Sequence, residues 1–223
     1  MTEKRNYTRI AQSTADGSPT LYLPEMDEHY HSVKGAMTES KHIFIECGTK
    51  ACKRDSVNIL EIGFGTGLNA FLTATHCSDK KIKYYTTELY PLPLTTIEEA
   101  GYLELDNTGT IKALHSAPWG KLHTITENFS ICKLECDLTD PTVELPSNID
   151  IVYFDAFAPE KQPEMWSEEL FTRIFQSMSN GGILTTYCAK GVVRRMMQKI
   201  GFTVERLPGP PNGKREILRA TKP

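Results

Sequence analysis

A mostly parallel α/β sheet is the fold this chain of 223 residues predicts. Three observations carry the prediction. Short apolar and β-branched runs alternate with amphipathic stretches along most of the chain, which is the pattern of strands crossed over by helices. The run IDIVYFDAF, residues 149–157, is nearly continuously apolar, as a strand covered on both faces must be. And NILEIGFGTGLNAFLTA, residues 58–74, passes from an apolar run through a glycine-rich turn into helix formers, the layout that brings a backbone close to a nucleotide-like ligand.

Taken in order, HIFIEC (42–47) reads as a half-buried strand, NILEIG as the strand before the glycine loop, and AFLTATHC as the continuation of its helix. IKYYTTEL is a β-branched and aromatic strand ending in Glu88, TIEEAGYLELD is helical, and FSICKLECD reads as a strand ending at Asp137. SEELFTRIFQSMSNGG is an amphipathic helix with Ser167 as its N-cap and glycines at its end. ILTTYC is a further strand and GVVRRMMQKIG a helix. FTVERL and EILRAT form a closing hairpin around the turn-rich PGPPNGK, which adds an antiparallel strand. The main sheet is then expected to have seven strands. Residues 1–45 fall outside the alternation and are expected to form a small β-rich extension, with the α/β domain in 46–223.

Composition excludes several classes. With 39% hydrophobic and 24% charged residues the chain reads as one soluble globular domain. It has no run of about 18 apolar residues, so no membrane span is expected. Its start, MTEKRNYTRIAQSTADGSP, lacks an apolar core, so no signal peptide is expected either. The six cysteines are scattered without a C-x-x-C pair, which fits reduced thiols and a cytoplasmic location. His29 and His31 could share a strand face but have no third ligand at metal spacing, so no metal is expected. The net charge of −3 hides an asymmetry: from Lys190 onward nine basic residues stand against Glu205 and Glu216, whereas 135–169 holds ten acids and one Lys161. Charge of this kind describes either a solvated helix face or a surface for nucleic acid.

The acids and glycines narrow the ligand. Gly63, Gly65 and Gly67 form G-x-G-x-G, one place short of the dinucleotide fingerprint. Glu61 precedes the loop, and Glu88, Asp137 and Asp155 stand at the ends of the strands that follow. Glu88 is positioned for ribose hydroxyls and Asp137 for a donor such as an adenine amine, and each acid could equally serve as a strand-end turn or cap. Carboxylates in this arrangement suit a cationic, phosphate-free ligand such as S-adenosylmethionine and would repel a pyrophosphate.

FDAFAPEKQPEMWSEELF, from Phe154, resembles the DGFAP-x-x-x-P-x-M-W signature of the bacterial tRNA wobble-uridine methyltransferases. These are the methyltransferase half of the two-headed MnmC enzymes and the stand-alone MnmD proteins. EIGFGTGLNAFL is similar to that family's cofactor loop, which assigns Glu61, Gly63, Phe64, Gly65, Thr66, Gly67 and Asn69 to the cofactor together with Glu88, Asp137, Asp155, Ala156 and Phe157. TTELYPL looks like its ribose-binding strand end, and VVRRMMQKIGFTVERLPGPPNGKREIL like its ending. Upstream, DEHYHSVKGAMTESKHIFIECG is similar to the family's D-x-Y-F-S…G-x-x-E segment, which brings Tyr30 and Glu39 toward the substrate. Ala156 stands where the family usually has glycine, and residues 106–129 carry no motif of the family.

The resemblance implies a Rossmann-like, class I S-adenosylmethionine-dependent fold. It implies methyl transfer to the exocyclic amine of 5-aminomethyl-2-thiouridine in the anticodon stem-loop of tRNA, with no flavin half. In that chemistry Asp155 aims the amine's lone pair at the methyl group, and at its ordinary pKa of about 4 it is a poor base for an alkylammonium. Phe157, Pro159 and Trp166 are candidate walls for a splayed base, and Lys190, Arg194, Arg195, Lys214 and Arg215 are candidate phosphate contacts. Two other classes remain open: an aminopropyltransferase acting on a small diamine, and a non-catalytic tRNA-binding module.

Overall fold

The computed structural model describes residues 7–223, so the part of the expected leaderless start that falls in residues 1–6 lies outside the described residues. An antiparallel sheet of three short strands comes first: β1 (Ile10–Ser13), β2 (Pro19–Leu23) and β3 (Glu28–His29). Helix α1 (Ala36–Ser40) then runs directly into a π-helical turn, Lys41–Glu46. The main sheet contains β4 (Ser56–Ile62), β5 (Lys81–Glu88), β6 (Leu122–Thr126), β7 (Phe129–Glu135), β8 (Ile149–Phe154), β9 (Met178–Thr186), β10 (Thr203–Pro208) and β11 (Glu216–Thr221). Its order is β10-β11-β9-β8-β4-β5-β7-β6, with β9, β8, β4, β5 and β7 parallel and the rest antiparallel. The helices between are α2 (Leu68–His76), α3 (Leu94–Glu99), α4 (Thr110–Ser116), α5 (Glu168–Ser177) and α6 (Gly191–Ile200).

Alternation along the central strands explains why both faces are covered. Ile59, Ile151 and Tyr153 point to one side, where they pack with Phe44, Phe71 and Leu72; Leu60, Val152 and Phe154 point to the other, against Phe171, Ile174 and Met197. The π-turn, α2 and α4 therefore cover one face, and α5 and α6 the other. Ser167 caps α5 as expected, its hydroxyl accepting from Leu170 N–H at 3.3 Å.

Four expectations are corrected here. HIFIEC is helical, not a strand: Ile43, Phe44 and Ile45 are all buried, and Phe44 stacks on Tyr153 with centroids 5.0 Å apart. Three consecutive buried residues cannot alternate, and the wider turn, with Cys47 N–H donating to His42 O at 3.1 Å, puts them together against the sheet. The sheet has eight strands rather than seven, because β6 forms in the stretch without a motif and closes the edge beside β7. The strand after α5 begins at Met178, so Gly181 and Gly182 lie within β9 instead of ending the helix. The FSICKLECD strand stops at Glu135, two residues before Asp137.

Tyr153 ties three elements in the core. Its hydroxyl meets Thr49 Oγ1 and, at 3.2 Å, Thr73 Oγ1 on α2, all three side chains being buried. Tyr153→Phe would leave the two threonine hydroxyls without this partner, and we expect a loss of about 1–2 kcal/mol in urea unfolding.

Candidate active site

The parallel strands β8, β4, β5 and β7 end side by side, and the segments following them build the site. After β4, Gly63, Gly65 and Gly67 all take positive φ, at 91°, 49° and 74°. The loop must also stay bare: a Cβ on Gly65 would fall 3.0 Å from the Tyr30 ring, and one on Gly67 2.9 Å from His115 Nε2. Gly63 and Phe64 donate their N–H groups to Thr87 O at 3.1 and 3.0 Å, and Gly65 N–H donates to Glu88 Oε2 at 2.9 Å. Glu88 also accepts from Tyr90 N–H at 2.9 Å, so its half-exposed carboxylate is oriented by two backbone amides and retains lone pairs toward the crevice. Asp137 forms a turn with Thr139 through Oδ1, accepting from its N–H and hydroxyl at 2.9 and 2.6 Å.

Asp155 follows β8. Its N–H donates to Ile62 O at 3.2 Å, and its Oδ2 accepts from Asn69 Nδ2 at 2.8 Å. Asn69 is buried in the first turn of α2, so the glycine loop's helix and the β8 strand end are joined through this carboxylate. Burial pushes Asp155 up to about 7, the Asn69 hydrogen bond opposes that rise, Glu39 adds to it and Lys214 opposes it. An unshifted carboxyl would be a poor base for an alkylammonium, and burial moves Asp155 away from that case.

Beside Asp155 opens a cleft of about 260 Å³, lined among others by Tyr30, Glu39, Ala156, Phe157, Tyr187 and Lys214. The Tyr30 and Phe157 rings meet edge to face at 5.4 Å. Glu39, on α1, has a buried Oε2 without a hydrogen-bond partner, and burial raises its pKa while Lys214 and Lys34 oppose the rise. The structure thus brings together Asp155, Ala156, Phe157, Tyr30, Glu39 and Lys214.

Other candidates lie elsewhere. Glu61 is 0% exposed, sealed under the loop with Oε2 accepting from Thr86 Oγ1 at 2.7 Å, and burial raises it to about 8. It is a core carboxyl rather than a crevice anion. The side chains of Phe64 and Thr66 turn into the protein: Phe64 packs on His115 and Trp119, and Thr66 Oγ1 lies 2.6 Å from His31 Nε2. These two residues offer the crevice backbone only. Trp166 is no wall of the cleft. It is 8% exposed, packs on Phe154 at 4.8 Å and donates from Nε1 to Phe157 O at 2.8 Å, bracing the loop from below. Pro159 is half-buried on that loop and does not line the cleft. Lys190 is exposed and paired with Glu160, Arg194 donates to Gln198 Oε1 at 3.3 Å, and Arg195 and Arg215 are exposed. Lys214 is exposed as a residue, and its ammonium sits 3.5 Å from the Tyr187 ring centroid, at the cleft that both residues line.

Sequence reasoning missed the clamp on the loop. His31 approaches Thr66 Oγ1, and His115 Nε2 donates to Thr66 O at 3.0 Å. His29 turns instead to Gln12 Oε1, at 3.0 Å. Below the loop Lys133, 1% exposed, donates to His115 O at 2.8 Å and lies 4.8 Å from the Trp119 ring. None of this has a local signal, because the partners are 18 to 49 residues apart in the chain.

A family model described as S-adenosyl-L-methionine-dependent methyltransferase matches residues 112–223, half of the chain. The chain belongs to that family. The structure accommodates the cofactor: bare glycines after β4, an oriented Glu88 at the end of β5 and Asp155 after β8 offer a crevice edged by carboxylates, which suits a cationic ligand without phosphates. The chain is 30% identical over 214 residues to the tRNA 5-methylaminomethyl-2-thiouridine biosynthesis bifunctional protein MnmC of Magnetococcus marinus, covering 90% of this chain and 32% of that protein. With MnmC of Pseudomonas putida KT2440 identity is 29%, over 89% of this chain and 33% of the relative. The methyltransferase thus spans about a third of the length of these curated relatives. Among solved structures, MnmC2 from Aquifex aeolicus superposes with a TM-score of 0.75 at 26% identity, covering 98% of this chain and 72% of that one. A spermidine synthase bound to the transition-state analogue AdoDATO reaches 0.61 at 14% identity, covering 99% and 72%, a likeness of fold alone. No described helix is long and apolar enough to cross a membrane.

The histidine clamp makes a pH prediction. Burial lowers His31 and His115 to about 4, so both are neutral in the fold, whereas the unfolded chain takes up these protons near 6.5. Between those values the unfolded state binds more protons, so this contribution is intact above 6.5 and is lost as pH falls toward 4. Urea midpoints should drop from pH 6.5 to 4.5, and His115→Gln, which keeps a donor for Thr66 O, should flatten the slope.

Proposed function

We propose that this methyltransferase acts on the exocyclic primary amine of 5-aminomethyl-2-thiouridine at the wobble position of tRNA, in the cytoplasm, and yields the methylaminomethyl product. The observation that carries the reading is a cleft with two carboxylates, Asp155 and Glu39, opening beside the cofactor loop. The likeness to MnmC across nine-tenths of the chain supports the choice of acceptor. The glycine loop and Glu88 would hold the cofactor, which would supply an electrophilic methyl group on a sulfonium.

The chain's own residues have three tasks. Asp155, its Oδ2 held by Asn69, accepts a hydrogen bond from the amine and aims the nitrogen lone pair across the loop. It also takes the ammonium proton. An alkylammonium has a pKa of about 10, so a carboxylate near 7 leaves a gap of about 3 units where an ordinary one would leave about 6. Phe157 and Tyr30, packed edge to face on each other in the cleft lining, offer aromatic surface to the entering base. Arg194, Arg195 and Arg215, with Lys190 beyond its pairing with Glu160, supply a basic margin for the RNA backbone. A small diamine would have no use for that margin, which sets the aminopropyltransferase alternative second.

Incubation with S-adenosylmethionine and tRNA from cells lacking this methylation, followed by nucleoside mass spectrometry, should show one methyl gained on 5-aminomethyl-2-thiouridine. Asp155→Asn should lower kcat by about 100-fold or more and leave cofactor affinity within a few-fold. A wild-type enzyme that binds cofactor but leaves this nucleoside unchanged would overturn the assignment.

A further inference from the structure

The hairpin that closes the main sheet delivers a cation to the Asp155 cleft. Residues 209–215 join β10 to β11 in a turn closed by Gly209 N–H donating to Arg215 O at 2.9 Å and Gly213 N–H to Pro210 O at 3.0 Å. The base of the hairpin is pinned across the protein, where His42 Nε2 lies 2.8 Å from Pro208 O. The turn carries Lys214 over the cleft, with its ammonium on the Tyr187 ring. Tyr187 donates its hydroxyl to Ala156 O at 2.9 Å, so the seat of the cation is tied to the residue after Asp155.

The titratable groups that act on Lys214 are Glu39 from α1, Asp155 after β8, Cys188 after β9, a thiol that burial keeps protonated, and Glu28 from β3. Burial lowers its pKa, and Glu39 and Asp155 counter that by favouring the charged form. Asp155 in turn faces Asn69, Glu39 and Lys214, with Glu61 buried behind it. Among the described residues no carboxylate lies within ion-pair distance of Lys214, so its charge is attracted to both acids without being neutralised by either.

We propose that Lys214 is a positioning residue for charge: from its seat on Tyr187 it keeps Asp155 ionised and holds the incoming amine as the free base. This inference rests on the amine acceptor proposed above. In the step concerned, one N–H bond of the ammonium breaks, its electron pair stays on nitrogen, and the proton passes to the Asp155 carboxylate and on to solvent. A cation already in the cleft raises the energy of a second one, so the acceptor's ammonium form is disfavoured where its neutral form is needed. The same cation favours the anionic form of Asp155, the form that can receive the proton. A lysine on a hairpin, remote in sequence from the cofactor loop, thereby adjusts both partners of one proton transfer.

The test compares wild type, Lys214→Met and Lys214→Arg, each first checked for cofactor binding by calorimetry. Two readouts are followed: kcat/KM against pH on tRNA carrying 5-aminomethyl-2-thiouridine, and titration of the Asp155 carboxyl by 13C NMR without tRNA. Lys214→Met should move the acid limb and the Asp155 midpoint upward by about one pH unit, with activity recovering at alkaline pH, and Lys214→Arg should keep both near wild type. An unmoved limb with a uniform loss and a shallower salt dependence would make Lys214 a phosphate contact. A lowered KM would make it a plug in the amine's place. Either result overturns the proposal. Wild-type enzyme that leaves the tRNA unmethylated would overturn the acceptor assignment alone, and the Asp155 midpoint would still decide for or against Lys214.

Discussion

The hydrogen bond from Asn69 to Asp155 is the contact on which the site depends. It crosses from the first turn of α2 to the segment after β8, and so locks the helix that follows the glycine loop to the carboxylate that faces the cleft. Both parts are already constrained: Asp155 N–H is held by Ile62 O, and Asn69 is buried. A carboxylate placed this way has little freedom to turn, as the orienting role proposed for it requires.

The small N-terminal sheet is part of the same construction. It ends in a segment that lays Tyr30 against Gly65 and brings His31 to Thr66, while His115 reaches the same residue from α4. The glycine loop is therefore clamped from two sides, and protein packing alone already requires Gly65 and Gly67 to stay bare. Glu39 belongs to the same half of the chain, on the helix that follows, and supplies the cleft with its second carboxylate.

Charge gives the cleft its chemistry. Desolvation raises Asp155 and Glu39 together, and two carboxylates that resist ionisation are better proton acceptors for an alkylammonium than acids in water. Lys214 works against that rise. The balance among the three is a property of their distances from one another, and those distances come from α1, the β8 terminus and the closing hairpin.

The sequence by itself determined the alternation of strands and helices, the glycine loop, and the acids at the ends of β5 and β8. These are local signals: apolar runs of strand length, glycines where φ is positive, a carboxylate that ends a run. The same local reading misassigned Ile43–Ile45 as a strand, because a buried helix of apolar residues has no periodicity to distinguish it. It also assigned Glu61 to the crevice and Trp166 to the cleft wall, since neighbours in sequence do not reveal which face of a strand or loop is sealed by another layer. Only the tertiary structure decided that Asp155 is a raised acid, that two histidines hold Thr66, and that Lys214 sits in the cleft. Burial and field are sums over residues brought close by folding, and no stretch of chain contains them.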